Sequence, residues 1–194
     1  MSILRFTAAG LAATLSLVAT ASAADVSVCS PSSAAVECLL PVEHADFDRG
    51  SSRFAWAPPG VFPTDLPQWE KVGDNGGQLA FTPGQTILQV VDDPVVAGSH
   101  AVTYVPSLRV RSEGGEATVR FTAQVLDGAN TRTVFTQDYV VGNAWSTPSG
   151  GFAVGSVSSP RTVLSLSISR VDTNDAASLK LDGVQVLRQR LAGE

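Results

Sequence analysis

The sequence predicts an all-β protein folded as a β-sandwich or jelly roll. About ten short segments alternate apolar and polar side chains, and turn residues separate them at regular spacing. No segment after residue 23 keeps a helical periodicity over ten residues. The last predicted strand, residues 179–187, changes the phase of its alternation at Asp182-Gly183, which indicates a β-bulge. We expect this strand to lie beside the first one, residues 39–47, and to close the sandwich.

Residues 1–23 are predicted to be a secretory signal peptide. Arg5 supplies a positive charge, residues 8–19 are an uncharged apolar run, and Ala21-Ser22-Ala23 is a small-residue cleavage site. A retained membrane anchor is the alternative, but the run is short for a span and has no stop-transfer flank. We therefore expect a mature chain that begins at Ala24 and is secreted to the periplasm or the extracellular space.

Charge and hydropathy narrow the classes of partner. The chain has 194 residues and a formal net charge of −5, and its basic residues form no cluster. Binding to nucleic acid requires a concentrated positive face, so a nucleic-acid partner is not expected. No segment after the signal peptide is apolar enough to cross a membrane.

The two cysteines, Cys29 and Cys38, are close together near the mature N-terminus. Export to an oxidising compartment makes a disulfide the expected state of such a pair. A redox or metal-binding pair would need closer spacing or additional ligands, and neither is present. The disulfide would pin an N-terminal arm, residues 24–38, in front of a single sandwich domain, residues 39–194.

A long loop, residues 50–67, is predicted after the first strand. Pro58, Pro59, Pro63 and Pro67 exclude a helix or a central strand there. Loops of this length in compact domains are usually functional or disordered. The loop also carries Trp56, so it is a candidate for a binding surface.

The remaining strands are predicted from alternation and from turn residues. They are residues 69–72, 78–81, 86–91, 101–104, 108–111, 116–126, 132–141, 152–157, 163–171 and 179–187. Asn75-Gly76 predicts a hairpin between the first two. Asp92-Asp93-Pro94 is predicted to be a turn. Pro106 separates two strand pieces, so we expect that stretch to bend or to run along an edge.

Two of these strands have a clear inward face. In residues 116–126 the alternating apolar positions are Ala117, Val119, Phe121, Ala123 and Val125, and in residues 163–171 they are Leu164, Leu166 and Ile168. A strand has a side-chain period of two, so each set lies on one face of its strand. We expect both sets to point into the core of the sandwich.

Three segments resemble galactose-binding-like jelly-roll domains. Residues 42–50, with Phe47 and Gly50, resemble the opening strand of that family, and Leu181-Asp182-Gly183-Val184 resembles its closing strand. Residues 143–147, with Trp145, are similar to a Trp-Thr strand start. The resemblance implies a galactose-binding-like jelly roll and, in many members, carbohydrate binding, although a fold alone does not determine a function. It also implies that Trp69 and Trp145 are core tryptophans.

The same resemblance suggests a structural calcium ion near the first and last strands. Asp48 and Asp182 would be its ligands, and Asp46 would lie nearby. Calcium prefers several oxygen ligands from carboxylates and carbonyls. The alternative is that these residues are solvated turn acids.

No catalytic residue is predicted. The chain has no Gly-x-Ser-x-Gly elbow and no His-Glu-x-x-His sequence, and we expect its two histidines, His44 and His100, to be structural or solvent-facing. An acid/base pair at Asp92-Asp93 is disfavoured, because adjacent residues of a strand point to opposite faces.

The candidate sugar-binding residues are Trp56, Arg53, Tyr104 and Tyr139. Flat rings stack on the apolar face of a sugar while polar groups orient its hydroxyls. Trp56 lies in a stiff loop next to Arg49 and Arg53. The alternative for Trp56 is a buried plug at one end of the sandwich.

The leading interpretation is a secreted, non-catalytic protein that binds a polysaccharide or another glycan. The competing interpretation is a structural or interaction protein of the cell envelope or extracellular matrix with no small ligand. A hydrolase is a distant third. An exposed strip of aromatic residues would favour the first interpretation, a flat polar face the second, and clustered carboxylates in a cleft the third.

Overall fold

The structure is a computed structural model that describes residues 26–30, 37–43, 45–47, 56, 68–72, 76–93, 102–127, 130–155 and 162–190. This part of the chain contains ten strands and no helix. The strands are β1 (Glu37–Leu39), β2 (Gln68–Val72), β3 (Gly76–Phe81), β4 (Thr86–Asp93), β5 (Val102–Glu113), β6 (Ala117–Asp127), β7 (Asn130–Val141), β8 (Phe152–Val154), β9 (Thr162–Arg170) and β10 (Ser178–Arg190). The predicted all-β class is confirmed.

The strands form two antiparallel sheets. The front sheet has the order β2-β3-β10-β5-β8, and β1 also pairs with β10. The back sheet has the order β4-β9-β6-β7. The predicted Asn75-Gly76 hairpin is found as the β2–β3 pair, in which Val72 faces Gly76.

The core lies between the two sheets, as the alternation predicts. All eight apolar positions singled out in β6 and β9 are buried, with exposed fractions of 0–2%. The front sheet contributes Leu179, Leu181, Val184 and Val186 from β10, and each is 0% exposed. The change of phase between Leu181 and Val184 keeps both halves of β10 facing the core.

On one side of β10, the segment that pairs with the strand changes at the bulge. Its register with β5 shifts between Leu181 and Gly183, which leaves Asp182 as the extra residue. Before the bulge, β10 pairs with β3. Just after it, the N–H of Val184 donates to the C=O of Ala45 over 2.8 Å, and further on β10 pairs with β1. The predicted adjacency of the first and last strands is therefore confirmed.

The predicted length of the first strand is wrong. β1 ends at Leu39, and residues 40–43 and 45–47 do not continue as a strand. One cause is Gln89 of β4, whose side chain accepts from the N–H of Glu43 over 2.9 Å and donates to its C=O over 3.1 Å. These bonds occupy both backbone groups of Glu43, so that residue makes no ladder bonds with a strand.

Pro106 does not bend β5 or place it at an edge, contrary to the prediction. β5 pairs with β10 on one side, and on its other side it pairs with β8 near its start and makes isolated bridges from Ser107 and Val110. The C=O of Pro106 accepts from the N–H of Gly150 over 3.3 Å. The N and C=O of a strand residue point to the same side, so the N–H that proline lacks would point towards Gly150. The ladder with β10 therefore loses no hydrogen bond.

The predicted turn at Asp92-Asp93 is also wrong, because both residues belong to β4. Asp93 points into the core and is 1% exposed. Its carboxylate accepts from Arg188 of β10 over 2.9 Å and from the hydroxyl of Tyr104 of β5 over 2.8 Å. These two partners from the front sheet allow a carboxylate to lie inside the sandwich.

The N-terminal arm is joined to the sandwich by a disulfide between Cys29 and Cys38, as predicted. The N–H of Cys29 also donates to the C=O of Leu39 over 2.7 Å, and the N–H of Leu39 donates to the C=O of Ser27 over 2.9 Å. The predicted signal peptide, His44, His100 and the loop 50–67 except Trp56 lie outside the described residues. Within the described residues, no helix has the length and apolar character needed to cross a membrane.

Candidate functional site

A cleft of about 410 Å³ opens on the outer face of the front sheet, beside the bulge of β10. Ser107 and Arg109 of β5 alternate with buried residues of that strand and therefore point outwards. The cleft is lined by Ala45, Asp46, Ser107, Arg109, Thr147, Asp182, Gly183, Val184 and Gln185. Most of these residues carry hydrogen-bonding side chains.

The bulge produces the floor of the cleft. It places the extra residue, Asp182, next to Gly183, which has no side chain to fill the space. Among the described residues, a Cβ at Gly183 would meet Cβ of Arg109 at 3.6 Å and the C=O of Ala45 at 3.8 Å, which are ordinary contacts. The open volume therefore depends on the glycine.

One wall of the cleft is Ala45-Asp46, and the next residue anchors it. Phe47 is 0% exposed, and its ring lies 5.9 Å from that of Trp56. Its φ of 52° is in the left-handed region, which costs a bulky residue about 1–2 kcal/mol. Burial of the ring offsets this strain. The bond between Val184 and Ala45 fixes the same wall to β10.

The polar centre of the cleft is an ion pair between Arg109 and Asp182, whose side chains are 55% and 19% exposed. The guanidinium of Arg109 also lies 4.7 Å from the ring centroid of Trp145, and that of Arg111 lies 4.8 Å from it. Arg111 is in turn 2.6 Å from Glu113. Cation–π contacts and ion pairs together orient Arg109 in the cleft.

The outer face of the back sheet is a second polar surface. Its strand register brings together two uncharged rows, Leu88-Ser167-Thr122-Thr136 and Val90-Ser165-Gln124-Thr133. Beside them, Arg120 forms a two-point pair with Asp138, at 2.6 and 2.8 Å. The hydrogen bonds between these two side chains lower the pKa of Asp138 and raise the pKa of Arg120.

Asp172 forms a structural ion pair with Arg170. Hydrogen bonds from Arg170 lower the pKa of Asp172 to about 2, and the backbone N–H groups of Thr118 and Asn174 add to this effect. Arg170 is 1% exposed and also donates to the C=O of Phe81 and of Ala177, at 2.8 Å each. The pair fastens the turn between β9 and β10 to the end of the sandwich.

Comparison with known proteins concerns the fold. No family model and no curated protein matches the chain. A solved CBM4 structure matches with a TM-score of 0.51 and 13% identity, over 76% of this chain and 99% of that one. The tandem CBM22-1–CBM22-2 domain of Xyn10C from Paenibacillus barcinonensis matches with a TM-score of 0.50 and 19% identity, over 90% of this chain and 48% of that one. The chain has the jelly-roll fold of carbohydrate-binding modules.

A larger protein contains a similar fold. An arabinose-bound α-L-arabinofuranosidase matches with a TM-score of 0.52 and 13% identity, over 77% of this chain but only 26% of that one. The predicted galactose-binding-like jelly roll is thus confirmed. At these identities the likeness concerns the fold alone.

Within this carbohydrate-binding-module fold, two predicted stacking residues do not present a ring. Trp56 is 0% exposed because it packs on Phe47, and its C=O accepts from the N–H of Leu88. Tyr104 is 0% exposed because its hydroxyl bonds to Asp93 inside the jelly roll. The expectation of exposed rings at these positions is therefore wrong. Arg49 and Arg53 lie outside the described residues.

Tyr139 and Trp145 are both intermediate in exposure. Tyr139 packs against the core at the β7 edge, near Gly150, and burial raises its pKa. Trp145, expected in the core, instead lies against Arg109 and Arg111 on the outer face of the jelly roll. Arg109 and Arg111 share a face because they are two residues apart on one strand, but their spacing does not identify Trp145 as the ring that they contact. The side chain of Trp69 is not among the side chains that the structure describes.

The calcium site stays a prediction, because Asp48 lies outside the described residues. Its other expected ligand, Asp182, is engaged by Arg109. Asp46 does lie near Asp182, since both line the cleft. The described part of the jelly roll has no group of three or more histidine, cysteine or acidic residues that could hold a metal.

Proposed function

We propose that the protein binds glycans without cleaving them, and that the cleft beside the β10 bulge is the binding site. The observation that carries this proposal is the convergence of donors and acceptors from separate segments in one cleft of about 410 Å³. Volumes of 300–1,000 Å³ with a few oriented polar groups are typical of small-ligand sites. The fold shared with carbohydrate-binding modules supports the same function.

The chemistry of the cleft suits sugar hydroxyls, which both donate and accept hydrogen bonds. Arg109 donates, Asp182 accepts, and Ser107, Thr147 and Gln185 can do both. Bonds to the two charged groups are the strong ones. A cleft of this size would hold one or two sugar units, and we expect dissociation constants on the order of micromolar to millimolar.

The engagement of Asp182 argues against hydrolysis. Glycoside cleavage requires a carboxylic acid that donates a proton and a second carboxylate nearby. Asp46 and Asp182 both line the cleft, but Asp182 already forms an ion pair with the guanidinium of Arg109. The cleft therefore suits binding better than proton transfer.

Secretion is part of the proposal. The sequence of residues 1–23 predicts export, and the disulfide between Cys29 and Cys38 is typical of proteins in oxidising compartments. Extracellular or envelope polysaccharide is then the accessible glycan.

A second candidate function is that of an envelope interaction protein without a small ligand. It is favoured by the aromatic residues, because Trp56 and Tyr104 are buried and Trp145 is covered by two arginines. The uncharged rows of the back sheet would then contact a macromolecular partner.

The test uses a variant that fills the cleft. Gly183 and Gly142 both lack the positive φ of Gly84, Gly114 and Gly115, so both positions tolerate a side chain. Gly183→Leu would occupy the cleft, whereas Gly142→Leu adds the same group at a site where no atom of the described residues lies within 4 Å. Affinity electrophoresis through gels that contain soluble polysaccharides would compare both with the wild type.

We expect at least one polysaccharide to retard the wild type and Gly142→Leu equally, and Gly183→Leu to migrate freely. Circular dichroism would verify that both variants are folded. If no polysaccharide retards the wild type, or if Gly183→Leu is retarded as strongly, the proposed function of the cleft is wrong.

A further inference from the structure

We propose that Asp182 sets the charge specificity of the cleft, so that uncharged sugars enter and acidic sugars are rejected. This inference rests on the proposed glycan binding and names the class of sugar that the site takes. It makes Asp182 a specificity-determining residue, which acts by holding Arg109 and by contributing a negative charge.

The first argument is the charge of the lining. Among the described residues that line the cleft, Asp46 and Asp182 are acidic and Arg109 is basic. A ligand carboxylate that enters beside Asp182 therefore meets a like charge. Inside a cleft, where water is partly excluded, a ligand carboxylate is repelled more strongly than on an open surface.

The second argument is the position of Arg109. Its guanidinium contacts Trp145 at 4.7 Å on the outer face of β5 and pairs with Asp182 in the cleft. Arg111 approaches the same ring at 4.8 Å. Arg109 is thus held from two sides. A ligand carboxylate could reach it only by displacing Asp182 or by sitting beside that like charge, which is unfavourable.

A hydroxyl group meets no such obstacle. A single hydroxyl can donate to the carboxylate of Asp182 and accept from Arg109 at the same time. Both bonds are charge-assisted, and neither requires the ion pair to break. Neutral sugars therefore use the pair as it stands.

The chain offers a matched control pair. Arg120 and Asp138 form an ion pair of the same residue types on the outer face of the back sheet, with both side chains 43% exposed. Asp138→Asn changes the net charge of the protein by the same amount as Asp182→Asn and leaves the cleft untouched. A change caused by overall charge would appear in both variants.

The experiment measures affinity for neutral polymers and for their acidic counterparts. The neutral polymers are a β-glucan, a galactan and a mannan, and the acidic counterparts are the same polymers after oxidation of their C6 hydroxymethyl groups to carboxylates. Isothermal titration calorimetry would measure the affinity for each form at 50 mM and at 1 M NaCl. At low salt we expect wild type and Asp138→Asn to prefer the neutral form by about tenfold or more. Salt screens exposed charges, so this ratio should shrink at 1 M.

Asp182→Asn should reduce the neutral-to-acidic preference by about tenfold, because it removes a repelling charge and frees Arg109 for a ligand carboxylate. Equal preference in wild type and Asp182→Asn, or the same loss in Asp138→Asn, would overturn the inference while leaving glycan binding intact. If the wild type binds neither form of any polymer, the proposed function itself fails, and the inference falls with it.

Discussion

Asp93 of β4 and Arg188 of β10 form an ion pair at 2.9 Å between the two sheets, with side chains only 1% and 3% exposed. The hydroxyl of Tyr104 donates to the other oxygen of the same carboxylate over 2.8 Å. The three residues therefore link the front and back sheets by a buried polar contact.

Removal of the Asp93 carboxylate should strongly destabilise the fold. In Asp93→Ala the charge of Arg188 loses its carboxylate partner inside the core, which costs about 3–5 kcal/mol. Tyr104→Phe removes one hydrogen bond to a charged group and should cost about 1.5–3 kcal/mol. Urea unfolding would measure both, with Asp138→Ala as the exposed control. A loss in Asp93→Ala no larger than in that control would contradict the interpretation.

The pair of Asp172 and Arg170 predicts a specific acid response. The pKa of Asp172 is lowered from 3.8 to about 2, chiefly by hydrogen bonds from Arg170. A lowered pKa stabilises the fold above the unfolded value, and this stability is lost as pH falls from about 4 to about 2. Because the carboxyl is near solvent, we expect a contribution of about 1 kcal/mol. In urea unfolding between pH 6 and pH 2, the unfolding free energy of Asp172→Asn should depend less on pH than that of the wild type. Identical pH dependence in the two proteins would refute this role of the pair.

The disulfide should stabilise the chain by constraining the unfolded state. Cys29 and Cys38 are 9 residues apart, and closure of so short a loop contributes about 2–3 kcal/mol in the chain-entropy model. The double variant Cys29→Ser/Cys38→Ser should lose about that much in urea unfolding. Thiol titration of unreduced, denatured protein gives an independent check, since two free thiols would show that the bond does not form.

The calcium site suggested for Asp48 and Asp182 makes its own prediction. If the two carboxylates share an ion, a chelator should lower the melting temperature and added calcium should restore it. Asp182→Asn should then abolish the response, whereas Asp138→Asn should retain it. If neither the chelator nor added calcium shifts the melting temperature of the wild type, the predicted calcium site is wrong.

Local patterns were enough to predict much of the sandwich. The alternation in β6 and β9 identifies the buried face of each strand, and the phase change in β10 locates its bulge. These features depend on neighbours within one strand, so the sequence records them directly. The Cys29–Cys38 pair also needed only its short spacing and the expected export.

Residues whose surroundings depend on distant partners were predicted less well. Asp93 looked like part of a turn because its partner, Arg188, is 95 residues away. Trp56 and Tyr104 looked available for stacking because alternation alone does not show which rings the two sheets enclose. The cleft was predicted only in part: the expected adjacency of the first and last strands brings Asp46 near Asp182, but nothing in the sequence places Arg109 of β5 beside them.

The measurement that tests the central claim most directly is a two-dimensional NMR titration of isotope-labelled protein. The ligand is a neutral oligosaccharide from the polysaccharide that retards the wild type most strongly. Binding in the cleft predicts that the largest amide shift changes fall on Arg109, Thr147, Gly183 and Gln185, which line it. The back-sheet rows around Thr122, Ser165 and Ser167 should remain unchanged. Shift changes confined to those back-sheet residues, or no change anywhere, would contradict a glycan-binding role for the cleft.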